Sequence, residues 1–288
     1  MKRLHAVLAI AIALVAFQGL ASEKGIPPAL VDASVLVDNL VDGTGSGVIF
    51  KNGPVSFVWT DAHVVSDPAV KTVVDPQTGL PKVIITFKDL CVVQPIVEDG
   101  RKVGETSYSA KVIRYSKNHD LALLMVYKKD FGKASVKFYE GVPKCGAKIW
   151  HVGSMKGYRG ENSVSEGVVA FVGRLRKDFT HNELEGLVYD QISAVAHKGS
   201  SGGGIFLKDS GECLGLVTEF LGPTGSEGAT HGAFCITPAR RIREFARDYK
   251  VEFAVNDKMK VPELKVMLTE PVCVDPVPLP KDFPSLDN

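Results

Sequence analysis

No two cysteines in this sequence stand at the C-x-x-C spacing of a zinc or redox site: Cys91, Cys145, Cys213, Cys235 and Cys273 are scattered singly. No metal site or cofactor is expected from them. An excess of one charge is missing too, since 34 Lys and Arg face 33 Asp and Glu for a net charge of +1, which gives no footprint for a nucleic-acid partner. A phosphate-cradling loop is also lacking. Gly43-Thr44-Gly45-Ser46-Gly47 leads into a strand-like run without the Lys-Ser/Thr ending such a loop needs. Its glycines read instead as room for a strand to pass close under a neighbouring loop.

The apolar run over residues 6–17 is too short for a membrane span, which takes about 20 residues. It follows Met1-Lys2-Arg3 and precedes Gly19-Leu20-Ala21, the order of a secretory signal peptide cut after Ala21. The expectation is an exported chain, periplasmic or secreted, with no membrane attachment after residues 1–21 are removed. An oxidising location permits disulfides, and Cys213 and Cys235, on two strands expected to run antiparallel, are the predicted pair.

Short runs rich in Val, Ile and Phe recur over 47–50, 55–59, 83–87, 109–115 and 121–126. A second series covers 148–152, 167–172, 187–192, 204–207, 214–218 and 233–236. Many short strands with Gly and Pro between them predict an all-β fold of two antiparallel barrels of about six strands each. The first barrel is expected over about 30–130 and the second over about 140–237, joined by the polar stretch 128–144. Residues 238–249 have helical spacing, with Ile242, Phe245 and Ala246 on one face and Arg240, Arg241, Arg243 and Arg247 left to water. The folded domain is thus expected over 22–250. Prolines then accumulate through 251–288, which reads as an extended tail.

Chemistry concentrates at Gly199-Ser200-Ser201-Gly202-Gly203. A serine hydroxyl needs an imidazole to take its proton and a carboxylate to orient that imidazole. His63, in Thr60-Asp61-Ala62-His63-Val64 directly after a strand, supplies the first, in preference to His119, His151, His181, His197 and His231. Asp120, opening the apolar run 121–126, supplies the second. Asp61 and Asp67 are too near His63 in sequence to reach its far ring nitrogen. Ser201 is the nucleophile because glycine stands two before it and directly after it; Ser200 has Lys198 and Ser201 there. With an ordinary histidine as base, activity is expected to rise through about pH 6 to 7.

The chain order His, Asp, Ser separates this arrangement from other scaffolds that carry the same three groups. With Gly45-Ser46-Gly47-Val48-Ile49, Ser165-Glu166-Gly167-Val168-Val169 and the stretch from Gln191 to Gly204, it resembles the trypsin-like serine endopeptidases, in particular the bacterial HtrA type. The likeness spans roughly 30–250, with no PDZ-like stretch after it. Ser193, His197 and Ser200 depart from the family's usual Asp, Asn and Asn. The resemblance implies a protein or peptide substrate cleaved through an acyl-enzyme, with the N–H groups of Gly199 and Ser201 as the oxyanion hole. It also implies a pocket with Val195 and Ala196 at its base, lined by His197, by Val217, Thr218, Glu219 and Phe220, and by Gly232. No acid stands at that base, so small or medium aliphatic residues are expected before the cut bond. The alternative is an inactive, protease-like module that binds peptides.

Overall fold

Alternation of side chains along short strands builds two separate interiors and a third between them. The computed structural model describes residues 25–275 apart from 42, 66, 77–78, 89, 100, 176–186, 221–232 and 270–271. The expected signal peptide and Gly232 lie outside the described residues. In the first half β1 (Ser34–Asp38), β2 (Thr44–Asn52), β3 (Val55–Thr60), β6 (Leu90–Glu98), β7 (Arg101–Ser116) and β8 (Leu121–Val126) close an antiparallel barrel. Its order is β1-β2-β3-β8-β7-β6. In the second half β9 (Lys148–Gly153), β10 (Ser163–Leu175), β11 (Val188–Ile192), β12 (Gly204–Leu207), β13 (Cys213–Phe220) and β14 (Phe234–Pro238) close the other, in the order β10-β11-β14-β13-β12-β9. The expected all-β double barrel is what the chain forms.

Strand β8 shows why the barrels hold together. Successive strand residues face opposite sides. Ala122, Leu124 and Val126 fill the first barrel, while Leu121, Leu123 and Met125 point outward. The outward set joins Trp59, Trp150, Phe206 and Phe245 in a core between the barrels and the C-terminal helix. The Trp59 and Phe245 rings meet edge to face at 5.9 Å. Truncating such a fully buried leucine to alanine costs about 2–5 kcal/mol, so Asp120, immediately before β8, is seated on a rigid element.

Four expectations change. The run over 83–87 is in no barrel, because β5 (Pro81–Thr86) pairs only with β4 (Ala69–Val74) in a two-stranded sheet that leaves Val70, Val74 and Ile84 exposed. Its place is taken by β1 and β6. The predicted disulfide is absent: Cys213 stands opposite Phe206, Cys235 opposite Glu219, and no disulfide joins them. In the helix Ala239–Asp248, Ile242, Phe245 and Ala246 are buried as expected, but Arg241 is buried too. It donates to the His119 carbonyl at 3.0 Å and lies over the Tyr189 ring.

The fourth change concerns the segment after that helix, which packs back on the first barrel instead of extending. Trp59 Nε1 donates to the Ala254 carbonyl at 2.8 Å. Asn52 Nδ2 donates to the carbonyls of Phe253 at 2.9 Å and Met259 at 2.8 Å. Val251, Phe253, Ala254 and Met267 supply the buried apolar groups, carried on short helical turns at Glu252–Ala254 and Leu264–Thr269.

Candidate active site

His63 is in a single helical turn, Ala62–Val64, that follows β3. Ala62 and Val64 are buried and His63 takes the outer side, its side chain 48% exposed. Room for this turn comes from Gly45, where an added Cβ would come within 2.5 Å of the Val64 methyl groups. Asp120 comes from the turn before β8, the strand that pairs with β3. A tight turn closes with its N–H donating to the Lys117 carbonyl at 3.1 Å, and Asp120 itself is left-handed at φ 49°.

The two side chains meet. His63 Nδ1 lies 3.0 Å from both Asp120 oxygens, and the His63 backbone N–H donates to Oδ1 at 3.1 Å. Thr218 Oγ1 donates to Oδ2 at 2.7 Å. Burial pushes the Asp120 carboxyl up, but the neighbouring imidazole and these hydrogen bonds outweigh it and hold the group below its ordinary value. For His63 burial acts downward; the charge and hydrogen bond of Asp120, with Asp61 and Glu219 further off, outweigh it and raise the imidazole to about 9. The Nδ1 side is thereby committed to Asp120, which leaves Nε2 as the nitrogen that can accept a proton.

The turn bearing Ser201 docks against this end of the first barrel. Ser46 N–H donates to the Ser201 carbonyl and Ser46 Oγ to the Gly199 carbonyl, both at 2.7 Å. Gly202 N–H donates to Asp61 Oδ2 at 2.9 Å. Gly202 has φ +81°, and a Cβ there would sit 2.1 Å from the Ser46 carbonyl oxygen, so only glycine fits. Ser200 is fully buried, its Oγ accepting the His197 N–H at 3.1 Å, a structural position rather than a reactive one. Ser201 is partly exposed.

Two main-chain N–H groups stand beside that serine. Lys156 N–H donates to the Lys198 carbonyl at 2.7 Å. Across a trans peptide the C=O and N–H point opposite ways, so the Gly199 N–H is turned away from Lys156. Neither it nor the Ser201 N–H has a hydrogen-bond partner among the described residues.

The residues expected to line the pocket divide. Ala196 is buried and Val195 is 40% exposed, its carbonyl accepting from Ser165 Oγ at 2.6 Å and facing His151 Nδ1 at 3.0 Å. His151 is fully buried and lowered to about 4 by that burial, so it is neutral. His181 and His231 lie outside the described residues. Phe220 packs on Phe234 with ring centroids 5.3 Å apart. Val217 bonds the serine turn through both main-chain groups, its carbonyl accepting from Gly202 N–H and its N–H donating to Gly203 O. Thr218, expected in the pocket wall, instead spends its hydroxyl on Asp120. Its role is invisible in sequence, as are those of Ser46 and Asp61; the Gly-Ser-Gly pattern around Ser46 is the one local signal.

Asp61, His63 and Asp120 offer ligand atoms within 4.8 Å of one another. Their lone pairs are mostly taken: both Asp120 oxygens accept hydrogen bonds, His63 Nδ1 faces Asp120, and Asp61 Oδ2 holds the Gly202 N–H. The donor set fits an acid–base relay better than a cation.

A family model described as a trypsin-like peptidase domain matches residues 45–216, a stretch that contains all three groups. The chain is 28% identical over 233 residues to the magnetosome formation protease MamE of Paramagnetospirillum magneticum, covering 80% of this chain and 26% of that protein. It is 29% identical over 152 residues to the chloroplastic protease Do-like 2 of Arabidopsis thaliana, covering 52% and 23%. The match therefore spans about a quarter of the length of these relatives. Among solved structures the fold is shared with the Rv3671c protease in an inactive form, at a TM-score of 0.55 and 18% identity, covering 77% of this chain and 90% of that one. It is shared too with the HtrA-type protease AlgW with tripeptide, at 0.54 and 20%, covering 78% and 62%.

Proposed function

From the premise that the chain belongs to the trypsin-like peptidase family and resembles its HtrA-type proteases, we propose that it is an exported serine endopeptidase in which Ser201, His63 and Asp120 act together. The observation that carries this reading is the buried Asp120 carboxylate, which receives His63 Nδ1 at 3.0 Å beside a tight turn presenting a partly exposed serine. His63 Nε2 takes the Ser201 proton as Oγ attacks the scissile carbonyl. The oxyanion accepts from the Gly199 and Ser201 N–H groups, each worth about 3–4 kcal/mol of transition-state stabilisation. The imidazolium then gives its proton to the leaving amine, and water, activated by the same nitrogen, hydrolyses the acyl-enzyme. The residues before the cut bond rest against Val195, Ala196 and the strand around Val217, a lining that favours small or medium aliphatic side chains. Export rests on the signal-like residues 1–21.

One observation favours a second reading, a protease-like module that binds peptides without cutting them: no hydrogen bond joins Ser201 Oγ to His63 among the described residues. Catalytic hydrogen bonds are often long until substrate tightens them, so the first reading stands. Labelling with a fluorophosphonate probe decides between the two. We expect a labelled protein and a labelled Ser200→Ala variant, with no label on Ser201→Ala or His63→Ala. A wild-type protein that stays unlabelled favours the binding module, and a label lost in Ser200→Ala but kept in Ser201→Ala assigns the wrong serine.

A further inference from the structure

Strand β7 outruns β6. Its last pairing with β6 is at Ala110, and 111–116 continue beside β8 alone, so the other edge of that stretch is open. The far C-terminal segment closes it. Tyr115 N–H donates to the Val272 carbonyl at 2.8 Å, and Val274 N–H donates to the Tyr115 carbonyl at 3.0 Å, a short parallel bridge centred on Cys273. The next residue, Asp275, turns its side chain to the turn at 116–118. Asp275 Oδ1 accepts from Ser116 Oγ at 2.6 Å, and Oδ2 accepts from the N–H groups of Lys117 at 2.6 Å and Asn118 at 3.3 Å.

These donors belong to the turn that ends at Asp120. Ser116 Oγ is fully committed: it donates to the carboxylate and accepts from the His119 N–H at 3.1 Å, with His119 Nδ1 at 2.8 Å. Because the Ser116 proton goes to Asp275, the hydrogen on that imidazole is at Nδ1. From the opposite side Arg241 holds the His119 carbonyl. A turn with a left-handed aspartate at its end costs strain unless its surroundings fix it, and Asp275 supplies three of the fixing bonds. We infer that Asp275 is a positioning residue for the reaction: its carboxylate, brought back by the C-terminal segment, sets the turn that aims Asp120 at His63.

The inference rests on the reading of Asp120 proposed above, and the test separates the two. Asp275→Ala, Asp275→Asn and Asp120→Asn are made in the full chain, and kcat, KM and the pH of half-maximal activity are measured on an aliphatic peptide substrate. Misplacement of a catalytic group by an ångström can cost about a hundredfold. We expect kcat to fall about ten- to a hundredfold in Asp275→Ala with KM within about twofold. Its rising pH limb should move down, because a displaced Asp120 no longer raises His63. Asp275→Asn, which keeps one acceptor for this turn, should recover part of the loss. If Asp275→Ala keeps the wild-type kcat and pH profile, or loses only melting temperature, Asp275 merely anchors the segment and the inference falls. If Asp275→Ala does not fold, an Asp275→Asn protein with wild-type kcat and pH profile overturns it equally. If Asp120→Asn is itself fully active, the reading of the site falls first.

Discussion

Asp61 and Gly202 tie the two barrels together through one buried hydrogen bond, from the Gly202 N–H to Asp61 Oδ2 at 2.9 Å. The carboxyl is fully buried, and its Oδ1 has no partner among the described residues. Burial first, and then the charge of Asp120, hold Asp61 well above the ordinary carboxylate value; His63, the Gly202 bond and Arg241 act the other way without cancelling the rise. The rise favours the neutral form of the carboxyl, and its bond to Gly202 holds the turn bearing Ser201 against the end of the first barrel that carries His63.

Asp61→Asn should keep turnover within about threefold, since the amide oxygen still accepts from Gly202. Asp61→Ala removes one of the two acceptors of the Gly202 N–H, which keeps the Val217 carbonyl at 2.8 Å, and should cost about 0.5–1.5 kcal/mol of stability together with a drop in kcat. The pH dependence has a definite sign. A group whose folded pKa is raised contributes stability below its unfolded pKa, about 3.9, that is lost as pH rises through the folded value. The melting temperature of Asp61→Asn relative to wild type should therefore climb as pH increases over that interval. A constant difference across the range would show that Asp61 is ionised in the fold.

On the proposed reading His63 would set the acid limb of activity. Only the neutral imidazole accepts the serine proton, so kcat/KM should rise with pH, as the sequence already implies. The Asp120 carboxylate moves that rise upward from the ordinary histidine value of about 6.5 toward about 9. Half the ring is in water, which screens the effect, so the midpoint should fall between the two. Asp120→Asn should bring it back toward the ordinary value while turnover falls by about 10⁴. For stability, the raised imidazole contributes fully below about pH 6.5 and loses that contribution as pH rises through about 9. A midpoint at or below 6.5 in wild type would separate His63 from Asp120 in function.

What could be read from the sequence was what local pattern encodes. His63, Asp120 and Ser201 each stand in a short motif beside a strand, and all six strands of the second barrel show as apolar runs between turns. Strand β6 was missed because Pro95 interrupts it and proline argues against a strand interior. The hairpin β4–β5 misled for the opposite reason: β-branched residues favour a strand but do not say whether its face is buried. Thr218 on Asp120, Asp61 on Gly202 and Asp275 on the 116–118 turn all join distant parts of the chain. No spacing rule reaches them. The packed segment after the helix was hidden by its prolines, since composition cannot see that Ala254 and Phe253 offer their carbonyls to Trp59 and Asn52.

On the proposed reading specificity would follow from the chemistry of the residues before the serine turn. Ala196 is buried, Val195 presents a branched apolar side chain at 40% exposure, and neither carries an acid. An Arg or Lys side chain pressed there would lose water without gaining a partner. A fluorogenic peptide library should therefore show cleavage after Val, Ala, Ile or Leu at least about tenfold faster than after Arg, Lys, Asp or Glu, a ratio that about 1.4 kcal/mol of differential burial supplies. His197 is the residue that could reverse this order. Its backbone N–H is tied to Ser200 Oγ, which fixes its main chain beside the turn, and a protonated imidazole facing the substrate would pair with a Glu side chain. Cleavage preferring Glu in wild type and losing that preference in His197→Ala would make the pocket polar. Cleavage preferring Arg would mean that Val195 and Ala196 do not form its base.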